Sequence, residues 1–322
     1  MDLSDNTNLF GVPPAAEQAI RDATPAMSRY PSAYAEELRT ALAAYAGVDR
    51  TEIVTGCGSD DVLDSAIRAF SEPGDRIAFP DPSFAMIPIF ARMNGLDPIP
   101  VPLTPGLDID PDALLATGAR IIYLCSPNNP TGTIASQAAI DRLVERAPGV
   151  VILDEAYAEF AYGGCIDRAP LSERLLVVRT MSKAFGLAGL RIGYAAGPAR
   201  LVAEVEKSRG PYKVSGVAER AAIAAVTRDL AWMRERVAEV RGNRARLAGE
   251  LERRGLIVLS SRANFLLVVV DRAVELTGAM RARAVAVRPF SALGGLGAGF
   301  RVTIGPWPMM QRFLAALDEA LA

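Results

Sequence analysis

The sequence predicts an α/β protein built around a mostly parallel β-sheet, followed by a smaller α+β region. Between about Thr51 and Ala196, short apolar runs alternate with segments of helical periodicity. This alternation is typical of parallel strands that are buried on both faces by helices. After about Ser215, long helical patterns and only two strand-like runs follow. That change indicates a second and smaller layer of mixed structure.

The predicted strands of the main sheet are short runs in which apolar and β-branched residues predominate. The six runs are Glu52–Thr55, Arg76–Phe79, Ile121–Leu124, Val150–Leu153, Leu175–Arg179 and Ile192–Ala196. A helix is predicted between the third and the fourth run, because four apolar residues recur there at the spacing of one helix face. These residues are Ile140, Leu143, Val144 and Ala147.

The C-terminal region begins with long helices rich in Arg and Glu, which the pattern predicts over residues 217–254. Two strands are predicted next, at Asn264–Val270 and Phe300–Ile304. The glycine-rich residues 294–299 predict a loop before the second of these strands. A closing helix carries its apolar residues on one stripe, at Met310, Phe313, Leu314, Leu317 and Leu321.

The composition excludes several classes of protein. The 322 residues are 50% hydrophobic and 22% charged, which predicts a globular chain of about two domains. A net charge of -2 disfavours a nucleic-acid surface. The chain has no histidine, so neither a Ser-His-Asp hydrolase nor a His-ligated metal site is expected.

Cysteine usage and hydropathy predict the compartment. Cys57, Cys125 and Cys165 are widely spaced, which fits neither a disulfide framework nor a zinc motif and favours a reducing compartment. The N-terminus lacks the pattern of a secretory signal, and no apolar run is long enough to span a membrane. We therefore expect a cytoplasmic protein without membrane or nucleic-acid partners.

Lys183 is the lysine whose sequence context indicates a functional site. It ends the segment Thr180-Met-Ser-Lys183, which directly follows a predicted strand. Ligands bind at the carboxyl ends of strands in parallel α/β sheets. The two hydroxyls of this segment, together with Arg191 eight residues later, suit a phosphate. A desolvated lysine beside such a site could form a Schiff base. Taken alone, the segment is better explained by a solvated loop lysine beside a helix-capping serine.

A carboxylate and a phenol follow the strand Val150–Leu153, as Asp154 and Tyr157. A carboxylate at the end of a buried strand is costly without a cationic partner, and a protonated pyridine nitrogen would be such a partner. Tyr157 could donate a hydrogen bond to a phenolate oxygen. The ordinary alternative is that Asp154 or Glu155 caps the next helix.

Two further polar turns complete the set. Asn129 is presented by the rigid turn Ser126-Pro-Asn-Asn-Pro-Thr-Gly132, and Ser59 and Asp60 follow two glycines at a predicted helix start. Backbone N–H groups at such a start can bind phosphate. Each motif alone has a structural explanation as a turn or a cap. Together they supply an amine, a pyridinium partner, a phenolate partner and a phosphate cradle, the contacts that pyridoxal 5′-phosphate requires.

The ordered set of motifs resembles the fold-type-I, pyridoxal-phosphate-dependent aminotransferases of class I and II, and among them the histidinol-phosphate aminotransferases. The likeness is carried by Ser126–Gly132, Asp154–Tyr157, Thr180–Lys183 and Gly189–Gly193, with support from Arg29–Pro31, Ala263–Leu266 and Arg301–Gly305. The resemblance implies a cofactor-binding domain at residues 25–215, with a mostly parallel seven-stranded sheet sandwiched by helices. It also implies a smaller α+β domain, formed by an N-terminal arm at residues 1–24 and by residues 216–322.

The resemblance also assigns cofactor contacts. Lys183 would hold the cofactor as a Schiff base and shuttle a proton between cofactor and substrate. Asp154 would pair with the pyridine nitrogen, Asn129 and Tyr157 would hold the phenolate oxygen, and Phe84 would stack on the ring. The cofactor phosphate would be held by backbone or side-chain groups of Ser59, Asp60, Thr180, Ser182 and Arg191.

Substrate contacts are implied in the same way. Arg301 would bind the substrate carboxylate in the glutamate half-reaction, and Arg288 would help to bind the substrate phosphate. Asn129 and Phe10 would also lie at the substrate. Tyr30 would reach the site of the neighbouring subunit, which implies a homodimer. The implied reaction converts L-histidinol phosphate and 2-oxoglutarate to imidazole-acetol phosphate and L-glutamate, a step of histidine biosynthesis.

Three features depart from the family pattern. Phe84 and Phe10 stand where the family usually has tyrosines, and Gly305–Pro308 replaces residues that are usually polar. These changes leave the cofactor chemistry intact but leave the substrate open. An aminotransferase of aromatic or other amino acids and a phospho-amino-acid decarboxylase remain alternatives. A non-catalytic cofactor-binding or regulatory protein is another, as is a nicotinamide-binding reductase, which would rest only on the glycines at 56 and 58.

Overall fold

A computed structural model describes residues 1–161 and 163–322, and its larger sheet has seven strands within that part of the chain. They are β1 (Ile53–Cys57), β2 (Arg76–Asp81), β3 (Asp97–Pro102), β4 (Ile121–Cys125), β5 (Val150–Asp154), β6 (Leu175–Thr180) and β7 (Ile192–Ala196). Their spatial order is β1-β7-β6-β5-β4-β2-β3. Strands β2 to β6 are parallel, whereas β7 runs antiparallel to both β1 and β6. The mostly parallel, seven-stranded sheet is therefore confirmed.

All six predicted runs are strands of this sheet, but β3 was not predicted from the sequence. Its segment, Asp97-Pro-Ile-Pro-Val-Pro102, alternates with prolines. Proline lacks the N–H group that a strand interior needs, so such a segment does not look like a strand. It forms one here because β3 lies at the edge of the sheet and, within residues 1–161 and 163–322, pairs only with β2.

Helices cover both faces of the larger sheet. The helices before β7 are α1 (Pro14–Asp22), α2 (Glu36–Ala46), α3 (Gly58–Phe70), α4 (Ile87–Met93), α5 (Pro111–Ala116) and α6 (Gln137–Arg146). Those after it are α7 (Ala199–Arg209), α8 (Gly216–Arg228), α9 (Leu230–Glu252), α10 (Ala273–Ala282) and α11 (Trp307–Leu321). The helices predicted near residue 140, over 217–254 and at the C-terminus correspond to α6, α8 with α9, and α11.

Alternate residues of each strand pack into two separate apolar clusters, one on each face of the larger sheet. In β5, for example, Val151 and Leu153 belong to the cluster that includes α5 and α6, while Ile152 belongs to the cluster that includes α3, α4 and α7. Successive strand side chains point to opposite faces, so a strand covered on both faces must be apolar at every position. This is why these strands are unbroken apolar runs in the sequence.

The smaller sheet is antiparallel and has four strands among the described residues. In the order β10-β11-β9-β8 they are β10 (Arg288–Leu293), β11 (Gly297–Thr303), β9 (Phe265–Val269) and β8 (Ile257–Val258). The loop predicted over residues 294–299 is therefore too long, because β11 already begins at Gly297. At Gly299 a Cβ atom would lie 2.5 Å from the carbonyl oxygen of Val268. Gly299 therefore allows two strands to approach closely. From the sequence alone, a glycine of this kind is not distinguishable from a glycine in a loop.

The N-terminal residues connect the two sheets. The Leu3 N–H donates to the Ala286 carbonyl, and the Leu3 carbonyl accepts from the Thr303 N–H at the end of β11. The next residues contact those that follow β5 and β6, since Asn6 Nδ2 donates to Tyr157 Oη and the Asp5 carbonyl accepts from Lys183 Nζ. No helix in the described ranges combines the length and the apolar character that crossing a membrane would demand.

Candidate active site

A cavity of about 470 Å³ lies at the carboxyl ends of β4, β5 and β6. Twelve of the fourteen sequence-predicted site residues line it, although they come from widely separated parts of the chain. They are Ser59, Asp60, Phe84, Asn129, Asp154, Tyr157, Thr180, Ser182, Lys183, Arg191, Arg288 and Arg301. The edge of a parallel sheet where several strand ends meet is where such a cavity is expected.

Lys183 is on the loop after β6, and its Nζ donates to the carbonyl oxygen of Asp5 over 3.1 Å. Burial, with a smaller contribution from the nearby Arg301 guanidinium, lowers the pKa of Lys183 to about 8. Lys207 instead pairs with Glu204, and Lys213 pairs with Asp61. Of the three lysines in the described chain, Lys183 is the one that lines the cavity.

Asp154 is the last residue of β5 and is 4% exposed. Its Oδ1 accepts the N–H of Ala156 over 2.9 Å, and its Oδ2 accepts the hydroxyl of Tyr123 over 2.8 Å. Burial raises the pKa of Asp154 to about 6, even though both hydrogen bonds act to lower it. Within the described ranges no cation forms an ion pair with this carboxylate, so a cationic ligand group beside it would offset the cost of its burial.

A cluster of hydrogen-bond donors, called the phosphate cradle below, lies between the N-terminus of α3 and the loop after β6. Helix α3 begins at Gly58, so Ser59 and Asp60 are in its first turn, where N–H groups have no partner within the helix. Thr180 Oγ1 lies 3.0 Å from Ser182 Oγ, and Arg191 Nη2 lies 3.4 Å from Asp60 Oδ2. Hydroxyls, helix N–H groups and a guanidinium form a donor set suited to a phosphate.

Glycine is required at Gly58 by two features. Its φ angle is +84°, in the region where other residues are strained, and a Cβ atom would lie 2.3 Å from Arg191 Nη2. The glycine therefore lets the Arg191 guanidinium approach the start of α3. The glycine at position 58 thus has a steric reason that does not depend on a dinucleotide-binding motif.

Arg301 on β11 is 8% exposed and faces Asn129, on the loop after β4. Its Nη1 donates to Asn129 Oδ1, and its Nη2 donates to the Ser4 carbonyl over 2.6 Å. Because Asn129 Oδ1 accepts from Arg301, the amide nitrogen of Asn129 is left to donate to a ligand. Tyr157 Oη accepts from Asn6 Nδ2 over 3.1 Å, so the phenol proton is likewise left to donate.

Arg288 and Phe84 form other parts of the wall. Arg288 on β10 is the cross-strand neighbour of Arg301 on β11, and it is exposed, whereas Arg301 is buried. Two guanidinium groups thus face the cavity from the smaller sheet. Phe84 is half-buried in the cavity wall and offers an aromatic face without a hydroxyl.

Two predicted residues do not line this cavity. Tyr30 is 86% exposed, and its ring centroid lies 5.1 Å from that of Tyr212. Phe10 lies on the chain near the cavity, but its ring packs under the Arg236 guanidinium at 5.6 Å. Their predicted contacts, across a subunit interface for Tyr30 and with substrate for Phe10, stay predictions.

The sequence analysis assigned no site role to three residues of the N-terminal segment. Asp5, Asn6 and Thr7 line the cavity, and Asn6 is 1% exposed. Asn6 also has a positive φ of 56° and hydrogen-bonds Thr303 on β11. The signal in the sequence was a polar Asn-rich stretch at the N-terminus, which periodicity alone assigns to an exposed loop.

The chain matches the family model described as aminotransferase class I and II over residues 1–317. It is 34% identical over 297 residues to a histidinol-phosphate aminotransferase of a Thermoanaerobacter species, covering 91% of this chain and 84% of the relative. It is 36% identical over 329 residues to an aromatic amino acid aminotransferase of Cutibacterium acnes, covering 99% and 92%.

A similar crystal structure is that of histidinol-phosphate aminotransferase from Sinorhizobium meliloti in complex with pyridoxal 5′-phosphate. The two folds superimpose with a TM-score of 0.92 at 26% sequence identity, over 99% of this chain and 90% of the other. The match includes both sheets and the helices around the cavity, since it spans nearly the whole chain.

Proposed function

Because this chain belongs to the class I and II aminotransferases and is a pyridoxal 5′-phosphate-dependent enzyme, we propose that it is a histidinol-phosphate aminotransferase. In this proposal it transfers an amino group from L-histidinol phosphate to 2-oxoglutarate, as a step of histidine biosynthesis. The observation that carries the proposal is the pair of adjacent arginines, Arg288 and Arg301, on the same wall of the cavity. One guanidinium can bind a carboxylate and both together can bind a phosphate, which suits a site that must accept glutamate and a phosphorylated amine in turn.

The cavity fits the cofactor on the chemistry of its donors. Asp154 is a buried carboxylate without an ion-pair partner in the described chain, suited to a protonated ring nitrogen. Asn129 and Tyr157 each have a hydrogen left to donate, suited to a phenolate. The start of α3, Arg191 and the hydroxyls of Thr180 and Ser182 suit the phosphate, and we propose that these residues hold it.

The bound cofactor supplies an electron sink for the bonds at the substrate Cα. The residues of this chain would orient the reacting groups and move a proton. Lys183 is proposed to carry that proton at Nζ, since it is the lysine of the cavity wall. With its pKa lowered to about 8, roughly one Lys183 in ten is neutral at pH 7, against fewer than one in a thousand at the ordinary pKa of 10.5.

Arg301 is proposed to couple substrate binding to the cofactor contacts. It reaches Asn129 with Nη1, so a substrate carboxylate that binds the guanidinium also affects the amide that is proposed to hold the phenolate oxygen. Arg301 Nε has no hydrogen-bond partner among the described residues. That orphan N–H, on a buried guanidinium, is a donor free to bind an anionic substrate group.

The substrate is tested with purified holoenzyme, glutamate as amino donor, and a panel of acceptors. We expect imidazole-acetol phosphate to be aminated with a kcat/KM at least about tenfold above that for phenylpyruvate or 4-hydroxyphenylpyruvate. One hydrogen bond between a guanidinium and the phosphate accounts for such a ratio. Amination of the aromatic oxo acids without detectable use of the phosphorylated ketone would overturn the assignment.

A second candidate is an aromatic amino acid aminotransferase. The Cutibacterium acnes relative favours it, at 36% identity over 99% of this chain. Phe84 and Phe290 also face the cavity, so apolar aromatic surface is accessible to a substrate ring. The same acceptor panel decides between the two candidates.

We further propose that the enzyme is a homodimer in which Tyr30 contacts the partner's site. Tyr30 is 86% exposed, Met27 62% and Tyr212 49%, and the two tyrosine rings lie side by side. A cluster of large apolar side chains exposed in one place is typical of an interface. Within its own chain, Tyr30 is not part of the cavity wall.

A further inference from the structure

A buried phenol, that of Tyr123, hydrogen-bonds the proposed cofactor carboxylate but has no role in the function proposed above. Tyr123 lies in the middle of β4 with 0% of its surface exposed. Its hydroxyl donates to Asp154 Oδ2 on the neighbouring strand over 2.8 Å. The pairing register places Tyr123 opposite Ile152 and Cys125 opposite Asp154, so the phenol leans along the sheet toward the carboxyl ends of the strands.

The surroundings of Tyr123 are largely apolar. Its cluster includes Ile121, Ile152 and Val178 from the strands, with residues of α3, α4 and α7. A phenylalanine would fill nearly the same volume without a polar atom to satisfy. The hydroxyl therefore requires an acceptor, and Asp154 Oδ2 provides it, because a buried hydroxyl without a hydrogen bond is costly.

We propose that Tyr123 is a positioning residue whose hydroxyl holds Asp154 as an oriented carboxylate anion, ready to pair with the protonated ring nitrogen of the cofactor. The hydrogen bond fixes one carboxylate oxygen while the Ala156 N–H fixes the other, so neither oxygen is free to rotate away. A charge-assisted hydrogen bond of this kind stabilises the ionised form over the neutral one. The inference rests on the proposed role of Asp154.

The other groups near Asp154 act in the opposite direction. Asp60 at the start of α3 and Glu155 after β5 both favour its protonation by their negative charge, and burial favours it more strongly. Cys125 on β4 and Tyr157 after β5 are neutral neighbours, because burial raises the pKa of each. Tyr123 and the Ala156 N–H are therefore the groups that favour the ionised carboxylate before the cofactor binds.

The test measures the dissociation constant of pyridoxal 5′-phosphate from the apoprotein, between about pH 5.5 and 8.5, for wild type, Tyr123→Phe and Tyr194→Phe. Tyr194 is the matched control, since it is equally buried on β7 but its hydroxyl does not bond Asp154. We expect Tyr123→Phe to weaken cofactor binding about tenfold to a hundredfold at neutral pH, the worth of one hydrogen bond to a buried charge. The pH below which affinity falls should also move upward, because Asp154 then protonates more readily. Tyr194→Phe should leave both quantities unchanged.

Two further measurements separate orientation of the carboxylate from simple packing. In an Asp154→Asn background, removing the Tyr123 hydroxyl should not shift the pH dependence, since the titrating group is absent. The 1-deaza analogue of the cofactor, which has no ring nitrogen, should bind wild type and Tyr123→Phe equally. An equal loss of affinity for the analogue and for the natural cofactor would assign Tyr123 a packing role and overturn the proposal.

The outcomes also distinguish this inference from the proposed function. If Asp154→Asn lost affinity while Tyr123→Phe bound the cofactor like wild type at every pH, the inference alone would be wrong. If Asp154→Asn itself bound the cofactor like wild type, the proposed role of Asp154 would fail, and the role of Tyr123 with it.

Discussion

At the scale of single residues, burial in the cavity shifts the pKa values of two ionisable groups away from their ordinary values. Burial pushes Asp154 toward its neutral acid and Lys183 toward its neutral amine. Both shifts are typical of functional sites, where burial and neighbouring charges are tuned to a ligand. They also cost stability in the apoprotein, which makes them measurable without any assay of turnover.

Asp154→Asn is expected to change the pH dependence of apoprotein stability. Because the folded pKa of Asp154, about 6, is above the ordinary 3.8, the folded state binds this proton more tightly than the unfolded state does. The wild type therefore loses stability from this group as the pH rises from about 4 to 6, by about 3 kcal/mol in all. Urea unfolding of the apoproteins should show the variant gaining that amount relative to wild type between about pH 4 and 7. Asp271→Asn, at an exposed site, is the control, and a pH-independent difference for Asp154→Asn would contradict the expectation.

Lys183→Ala is expected to lower turnover by at least about a thousandfold, because the variant lacks both the proposed covalent attachment and the proposed proton carrier. Borohydride reduction of the holoenzyme followed by peptide mapping should label the peptide with residue 183 in wild type and no peptide in the variant. Lys207→Ala is the control, since Lys207 is an exposed residue paired with Glu204 on α7. Undiminished turnover of Lys183→Ala in amine-free buffer would contradict the mechanism.

At the scale of secondary-structure elements, the proposed phosphate cradle depends on how closely α3 approaches β7. A Cβ atom at Gly193 on β7 would lie 2.1 Å from the Ser59 nitrogen and 2.3 Å from the Gly58 carbonyl carbon. The glycine thus allows the first turn of α3 to rest against the strand, where its N–H groups face the cavity. Backbone atoms cannot yield as a flexible side chain can, so any side chain here must displace the helix start.

Gly193→Ala is accordingly expected to weaken cofactor binding by at least about tenfold, as one or more hydrogen bonds to the phosphate are lost. Gly242→Ala is the matched control, because Gly242 lies within α9 and a Cβ atom there would meet nothing within 4 Å. That control should leave cofactor binding unchanged and raise the free energy of unfolding by about 1 kcal/mol, the helix-propensity gain of alanine over glycine. Equal cofactor affinities for the two variants would show that cofactor binding does not need the close approach of α3 to β7.

At the scale of the whole molecule, the cavity of one chain is expected to need a second chain. The test mixes Tyr30→Ala and Lys183→Ala, both expected to be inactive because each lacks one proposed site residue, and measures activity after subunit exchange. A hybrid dimer would hold one site with both native residues, so activity should recover to about a quarter of wild type. Activity no higher than that of the separate variants would place Tyr30 outside the partner's site, and sedimentation of wild type as a monomer would remove the dimer itself.

The sequence alone determined the order of six apolar strands and the polar motifs that follow four of them. Unbroken apolar runs require helices on both faces, and parallel strands place their carboxyl ends together. For this reason Asp154, Asn129 and Lys183 could be assigned to one site from the order of motifs along the chain. The proline-rich β3 and the exposed β10 were not predicted, because edge strands need not be continuously apolar.

Only the tertiary structure decided which distant residues complete the site. Asn6 lies 151 positions from Tyr157, and Tyr123 lies 31 positions from Asp154, yet each pair shares a hydrogen bond. Local periodicity records which face of an element is buried but carries no information on what another part of the chain places against it. Contacts between strands and across the cavity depend on topology and register, and these exist only once the chain has folded.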